Sequence, residues 1–287
     1  MSTNFRLIWR GILNQELDAG LKRSAAIVVF DIDGVVRDVS GSYRRALADT
    51  VEQFTQNAYR PTSQEIDLLK SEGTWNNDWE ASQELVYRYF ETQRSLRSSI
   101  DLNYSELVAF FQSKYRGTDS DHWTGYICDE PLLLESAYLD SLTRSGIRWG
   151  FFSGATRASA NYVLEKRLGL QSPVLIAMED APGKPDPAGL FESVQQLENQ
   201  PDLRNPVLYV GDTVADMYTV DRARTMQPDR VWIAIGVLPP HVQQTSEQIR
   251  SYTALLIQSG AATVLNNVQE LTPEKVFELV QLQSTRI

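Results

Sequence analysis

VVFDIDGVVRD, running from Val28 to Asp38, is the stretch of this 287-residue chain on which the fold turns. With Ala26 and Ile27 before it, the run Ala26–Phe30 is wholly apolar. A short apolar run that stops at polar residues and glycine reads as a strand buried on both faces. Asp31 and Asp33 close the run, and their two-residue spacing would let both point into one site if the strand persists that far. Gly34 then allows a tight turn. One aspartate at a strand end is explained by turn formation alone; two flanking Ile32, just before a glycine, are harder to dismiss.

Outward from this strand the same pattern recurs at Ile147–Phe152, Val174–Met178, Val207–Val210 and Val231–Ile235. Helical patterns lie between, at Ala158–Leu168, Gly189–Leu197 and Met217–Ala223, with Gly169 suited to a helix C-terminus. Ser246–Ile257, Ala262–Leu265 and Pro273–Leu282 read as helix, short strand, helix. Strand–helix alternation predicts an α/β fold with an open, doubly wound parallel sheet. The stretch from Val39 to Asp129 differs. Tyr43–Phe54, Ile66–Leu69, Leu85–Phe90 and Leu107–Phe111 space apolar residues three and four apart, without a convincing strand. Two units are therefore expected: a core from 1–38 and 130–287, and a helical insert over 39–129.

Composition narrows the function classes. The chain is 42% hydrophobic and 22% charged, as globular proteins are. Its formal charge of -10 repels a phosphate backbone, so nucleic acid is not an expected partner. A small anionic substrate stays open to a locally positive site. Cys128 is the sole cysteine, so no intramolecular disulfide can form and nothing argues for an oxidising compartment. Met1–Arg23 is broken by Arg6, Arg10, Glu16 and Asp18 and lacks a secretory pattern. No run approaches the roughly 18 apolar residues that span a bilayer. A cytoplasmic monomer or homodimer without membrane contact is expected. His122 and His241, the only histidines, are expected at the surface. They support neither a zinc site nor a Ser-His-Asp triad, so the chemistry falls to carboxylates.

Three further motifs sit at the C-terminal ends of predicted strands, the edge where open α/β sheets bind ligands. WGFFSGATR puts Ser153 and Gly154 at one end, a hydroxyl and a closely approaching N–H able to cradle phosphate. Ser153 could instead cap the next helix. GKPDP holds Lys184 between Gly183 and Pro185. VLYVGDTVADM places Asp212 after a strand and Asp216 four residues on, on the same face if a helix has begun. Helix capping by Asp212 or Thr213 would explain this last motif alone.

Together the four motifs resemble those of the haloacid dehalogenase superfamily, in order and each after a strand, over about Ala25–Asp38 and Pro131–Leu271. The insert resembles the helical cap of its phosphoglycolate phosphatase and β-phosphoglucomutase branch, where the continuation Asp38–Leu47, DVSGSYRRAL, has common counterparts. The resemblance implies a phosphatase acting on a small phosphorylated metabolite. Asp31 would be the nucleophile, Asp33 the general acid and base, and Ser153, Gly154 and Lys184 the phosphate ligands. Mg²⁺ would be bound by Asp31, Asp212 and the backbone carbonyl of Asp33, with Asp216 and Asp180 orienting Lys184 or metal-bound water. A dehalogenase would not need Asp33. A phosphomutase differs only in the acceptor, and a non-catalytic binding protein would have lost a motif residue. The loop Gly73–Glu80, GTWNNDWE, matches no familiar cap. Asn77 is expected to cap a helix, while Trp75 and Asn76 are candidates for contact with the leaving group.

Overall fold

The computed structural model describes residues 26–75, 77–119, 122–198 and 204–284. Six strands form one sheet, each pair parallel: β1 (Ile27–Phe30), β2 (Arg148–Phe152), β3 (Leu175–Ile176), β4 (Val207–Gly211), β5 (Trp232–Val237) and β6 (Thr263–Leu265). Their spatial order is β3-β2-β1-β4-β5-β6, so β1 is central and the order reverses beside it. The expected Val174–Met178 strand pairs only at Leu175 and Ile176.

Alternation along each strand divides the core into two apolar layers. Val28, Phe30, Leu208, Val210, Ile233 and Ile235 face one side. There they meet α5 (Ser136–Arg144), α6 (Arg157–Asn161, continued by wider turns over Tyr162–Arg167) and α10 (Pro273–Ser284). Ile27, Val29, Val207, Tyr209, Trp232 and Ala234 face the other. They meet α7 (Ala188–Leu197), α8 (Val214–Met226) and α9 (Ser246–Gln258). Each fully buried Val, Leu or Ile contributes about 1.5–3 kcal/mol, which makes these two layers the main source of stability. The α8 helix begins before the Met217 expected from periodicity. Thr213 caps it, and Asp216 returns the bond to the Thr213 N–H, satisfying donors that would otherwise be orphaned.

Between β1 and β2 the chain forms α1 (Tyr43–Phe54), α2 (Ser63–Ser71), α3 (Asp78–Thr92) and α4 (Tyr104–Tyr115). A third apolar cluster, including Leu47, Val51, Leu69, Val86 and Phe111, joins them. Tyr43 packs edge-on against Phe111 and Tyr115, at centroid distances of 5.5 and 5.3 Å. Asn77 caps α3 by accepting the Trp79 N–H. The two connections to the sheet run side by side: the Asp38 N–H donates to Pro131 O, and the Leu133 N–H to Val36 O. None of the described helices is long and apolar enough to cross a membrane.

Helix α7 lies against β2 so closely that a Cβ on Gly189 would sit 2.2 Å from Cε2 of the buried Phe152 ring. In Gly189→Ala the overpacking, typically ~1–3 kcal/mol, outweighs a helix-propensity gain of at most ~1 kcal/mol. Urea unfolding of this variant is expected to show a lower midpoint at unchanged slope; a raised midpoint would contradict the packing described.

Candidate active site

The C-terminal ends of β1, β2 and β4 bring Asp31, Ser153 and Asp212 to one end of the sheet, at the base of a cavity of about 400 Å³. Lys184 reaches in from the loop before α7. Its Nζ lies 2.9 Å from Asp31 Oδ1 and 2.7 Å from Asp216 Oδ1, with only 3% of its side chain exposed. Asp216 is further fixed by the Tyr209 hydroxyl, which donates to Oδ1 at 3.1 Å, and by Thr213, whose N–H and hydroxyl donate to Oδ2 at 2.9 and 2.6 Å. Carboxylate oxygens of Asp31, Asp212 and Asp216 lie within 4.8 Å of one another.

Three buried carboxylates around one ammonium leave negative charge in excess. Burial pushes the Asp31 carboxyl up to about 7, although Lys184 pulls it down, while Asp216 and Asp33 add to the rise. Burial, Asp216 and Asp31 hold Asp212 well above the usual carboxylate range. Burial alone would lower Lys184, but Asp216 and Asp31 outweigh it and keep the ammonium charged. Asp31 Oδ1 is buried without a directed hydrogen bond, Lys184 being its ion-pair partner. This donor set fits a hard divalent cation, which takes carboxylate oxygens and would offset the excess charge. Asp31 and Asp212 would be the carboxylates to hold it, since Asp216 is occupied by Lys184, Thr213 and Tyr209.

The turn after β1 is shaped around this cluster. Gly34 has φ +77°, and a Cβ there would fall 2.1 Å from Asp212 Oδ2, so the backbone can pass the carboxylate only as glycine. Asp33 lies on the same turn and lines the cavity. The Ser153 oxygen accepts the Ala155 N–H at 3.1 Å, which leaves its own proton to donate. Thr156, and not Ser153, caps α6. Gly154 also lines the cavity.

Two expected residues are placed elsewhere. The Asp180 carboxylate accepts the Ala177 N–H at 2.7 Å and pairs with Arg157, so it organises the loop after β3 and does not orient Lys184. Trp75 is half-buried against the insert's apolar cluster, its indole N–H donating to Glu72 at 2.8 Å. That bond holds the ring outside the cavity lining, and Trp75 makes no contact there. Asn76 lies outside the described residues.

The insert wall of the cavity is instead supplied by residues that the sequence did not assign to the site. Arg44 pairs with Asp67, and Lys70 Nζ lies 2.6 Å from Asp78 Oδ1. His241 is not at the surface as expected: its side chain is 8% exposed and its Nε2 lies 3.2 Å from Asp67 Oδ1, because α2 packs down over the loop after β5. His122 is exposed. Arg37, four residues after Asp33, was also passed over. It is fully buried between Asp33 and Glu130, and burial pushes the Glu130 carboxyl up to about 7. A basic residue four positions beyond Asp33 was the available signal.

The family model for haloacid dehalogenase-like hydrolases matches residues 25–222. The chain belongs to that family. Its sheet order and helical layers are those of the family's Rossmann-like core. A protein from Phytophthora nicotianae named imidazoleglycerol-phosphate dehydratase is 29% identical over 244 residues, 83% of this chain; the match spans 49% of that relative. Among solved structures, a phosphonoacetaldehyde hydrolase-like protein from Oleispira antarctica superposes with a TM-score of 0.64 at 17% identity, covering 92% of this chain and 95% of that one. A protein described as a candidate β-phosphoglucomutase from Thermotoga maritima gives 0.53 at 16% identity, covering 89% and 99%. At these identities the structures share the fold with this hydrolase.

Removing Lys184 strands Asp31 as a buried, unpaired charge and leaves Asp216 only its hydrogen bonds from Tyr209 and Thr213. Lys184→Met is expected to lose about 3–5 kcal/mol at neutral pH, the usual range for breaking a buried pair. The sign with pH follows from Asp31. Its folded-state value, about 7, lies above the ordinary 3.8, so the folded state holds the proton more tightly. Protonation relieves the stranded charge, so the loss should shrink at pH 5 and grow towards pH 8. Urea unfolding of metal-free wild type and variant at both pH values checks this; a loss independent of pH would contradict the charge assignment.

Proposed function

We propose that this hydrolase is a magnesium-dependent phosphatase that cleaves small phosphate monoesters through an aspartyl-phosphate on Asp31. The observation that carries this reading is the buried Asp31 carboxylate at the floor of the cavity, 2.9 Å from the Lys184 ammonium and grouped with Asp212. An oxygen of Asp31 attacks phosphorus while the bond to the ester oxygen breaks. Asp33 gives its proton to that leaving oxygen. It then takes a proton from the water that attacks the aspartyl-phosphate, releasing inorganic phosphate and restoring Asp31. The Ser153 hydroxyl, the Gly154 N–H and Lys184 hold the non-bridging oxygens, where negative charge lies in the transition state.

Asp31, Asp212 and the carbonyl of Asp33 would hold Mg²⁺. When bound, the ion neutralises phosphoryl oxygens and keeps Asp31 ionised. A cavity of about 400 Å³ accommodates a small phosphorylated metabolite. The net charge of -10 speaks against nucleic acid, and the single cysteine suits the cytoplasm. The dehydration named for the Phytophthora relative belongs to a chain about twice the matched length. The residues gathered here suit attack on phosphorus and not loss of water from a carbon skeleton.

Phosphate release from a panel of monoesters in Mg²⁺ tests the reading. Asp31→Asn nearly preserves size but removes the nucleophile, and turnover is expected to vanish while the circular dichroism spectrum is retained. Substantial residual turnover would overturn the covalent route. Activity should also disappear after chelation, return with Mg²⁺ and be inhibited by Ca²⁺. The larger ion accepts six to eight ligands in loose geometry and would let Asp31 bind through both oxygens, leaving none to attack. Full activity in chelator after exhaustive dialysis would remove the metal from the scheme.

A further inference from the structure

A guanidinium with no exposed surface is costly unless every side is compensated. Arg37 is the largest of the fully buried side chains among the described residues. Its Nε donates to Asp33 Oδ1 at 2.6 Å, and Nη2 lies 2.6 Å from the same oxygen. On the opposite side Nη1 donates to Glu130 Oε2 at 2.9 Å. The Tyr115 ring lies beside it, 5.9 Å from centroid to guanidinium carbon. Glu130 accepts in turn from the Ser42 hydroxyl, at the residue before α1.

The chain Asp33–Arg37–Glu130–Ser42 thus has one end in the cavity and the other at the start of the insert's first helix. It crosses both connections between sheet and insert, since Ser42 lies on the outgoing one and Glu130 on the returning one. We propose that Arg37 is a positioning residue for the acid–base step: held by Glu130, it grips Asp33 Oδ1 and leaves Oδ2 to exchange the proton with the leaving group. No described hydrogen bond uses Oδ2, and 21% of the Asp33 side chain is open. Asp33 lies beyond the end of β1, where its backbone pairs only with Arg37 in an isolated bridge, and the Arg37 guanidinium holds its side chain. The anchoring of the insert and the aim of the acid are then one structure. This rests on the phosphatase reading, with Asp33 as acid and base.

A purely structural Arg37 would lower all activities alike, whereas a positioning role depends on the leaving group. p-Nitrophenolate leaves without a proton, while an alkoxide needs one. Single-turnover formation of the phosphoenzyme should therefore be measured for Arg37→Met, Glu130→Gln and, as reference, Asp33→Asn. The substrates are p-nitrophenyl phosphate and the alkyl monoester that wild type cleaves best. Asp33→Asn is expected to lose about 10²–10⁴-fold on the alkyl ester, the usual worth of a general acid, and far less on the aryl ester. Arg37→Met should show the same selectivity, its loss on the alkyl ester exceeding that on the aryl ester by at least about tenfold. It should also release p-nitrophenolate in a burst, because hydrolysis of the intermediate uses the same carboxylate. Glu130→Gln, which keeps the shape of the clamp, should show a smaller selectivity of the same sign, and it decides the matter if Arg37→Met does not fold. Equal losses on both esters in the folded variants, with Asp33→Asn selective, would overturn the role of Arg37 alone. Absence of selectivity in Asp33→Asn would overturn the acid assignment and this proposal together.

Discussion

The site depends on one buried ammonium. Lys184 stands between Asp31 and Asp216, at 2.9 and 2.7 Å, so the end of β1, the first turn of α8 and the loop before α7 must meet to put those three groups in contact. Its charge is retained because two carboxylates outweigh desolvation. The same arrangement leaves Asp31 and Asp212 short of positive charge, with both held above the ordinary carboxylate range. A cleft with this excess of buried negative charge suits a divalent cation, which would offset it. The surrounding sheet supplies rigidity: β1 is central, its side chains are buried on both faces, and the motif loops all leave the same edge.

Much of this was legible in the sequence because parallel strands write themselves as contiguous apolar runs. Asp31 and Ser153 follow such a run directly and Asp212 follows one after Gly211, so strand order alone brings them to one edge. The fold followed from the same signal, including the short last strand at Thr263–Leu265. The boundaries that moved did so for local reasons. Asp216 was visible as a helix-face residue, but its service in the Thr213 capping box begins α8 earlier than the apolar spacing indicates.

What the sequence did not disclose depends on contacts between elements far apart in the chain. His241 sits after two prolines and reads as a surface residue, yet α2, about 170 positions earlier, covers it. Asp78 reads as a helix-dipole charge at the start of α3, and the structure gives it that place together with a pairing to Lys70 in the cavity wall. Trp75 was conspicuous by type and not by position. An indole N–H needs a partner when it is partly buried, and Glu72, three residues before it, provides one away from the cavity. Asp180 was similarly captured by its neighbours, Ala177 and Arg157. Helical inserts carry no strand-end rule, so their contribution to a site becomes visible only when the tertiary contacts are known.

The charge pattern of the insert wall bears on what the cavity takes. Arg44 faces Asp67, and Lys70 faces Asp78, so the wall that meets the leaving group is paired within itself, unlike the floor below. In the proposed reaction the floor would read the phosphoryl group, and the chemistry would begin there, at Asp31. Acid-quenched enzyme, caught during turnover of a monoester in Mg²⁺ and digested at low pH, locates the covalent step directly by mass spectrometry. The expected result is a phosphoryl adduct on the peptide containing Asp31, absent from Asp31→Asn. An adduct on another residue, or turnover without any adduct under conditions that preserve acyl phosphates, would contradict the covalent account.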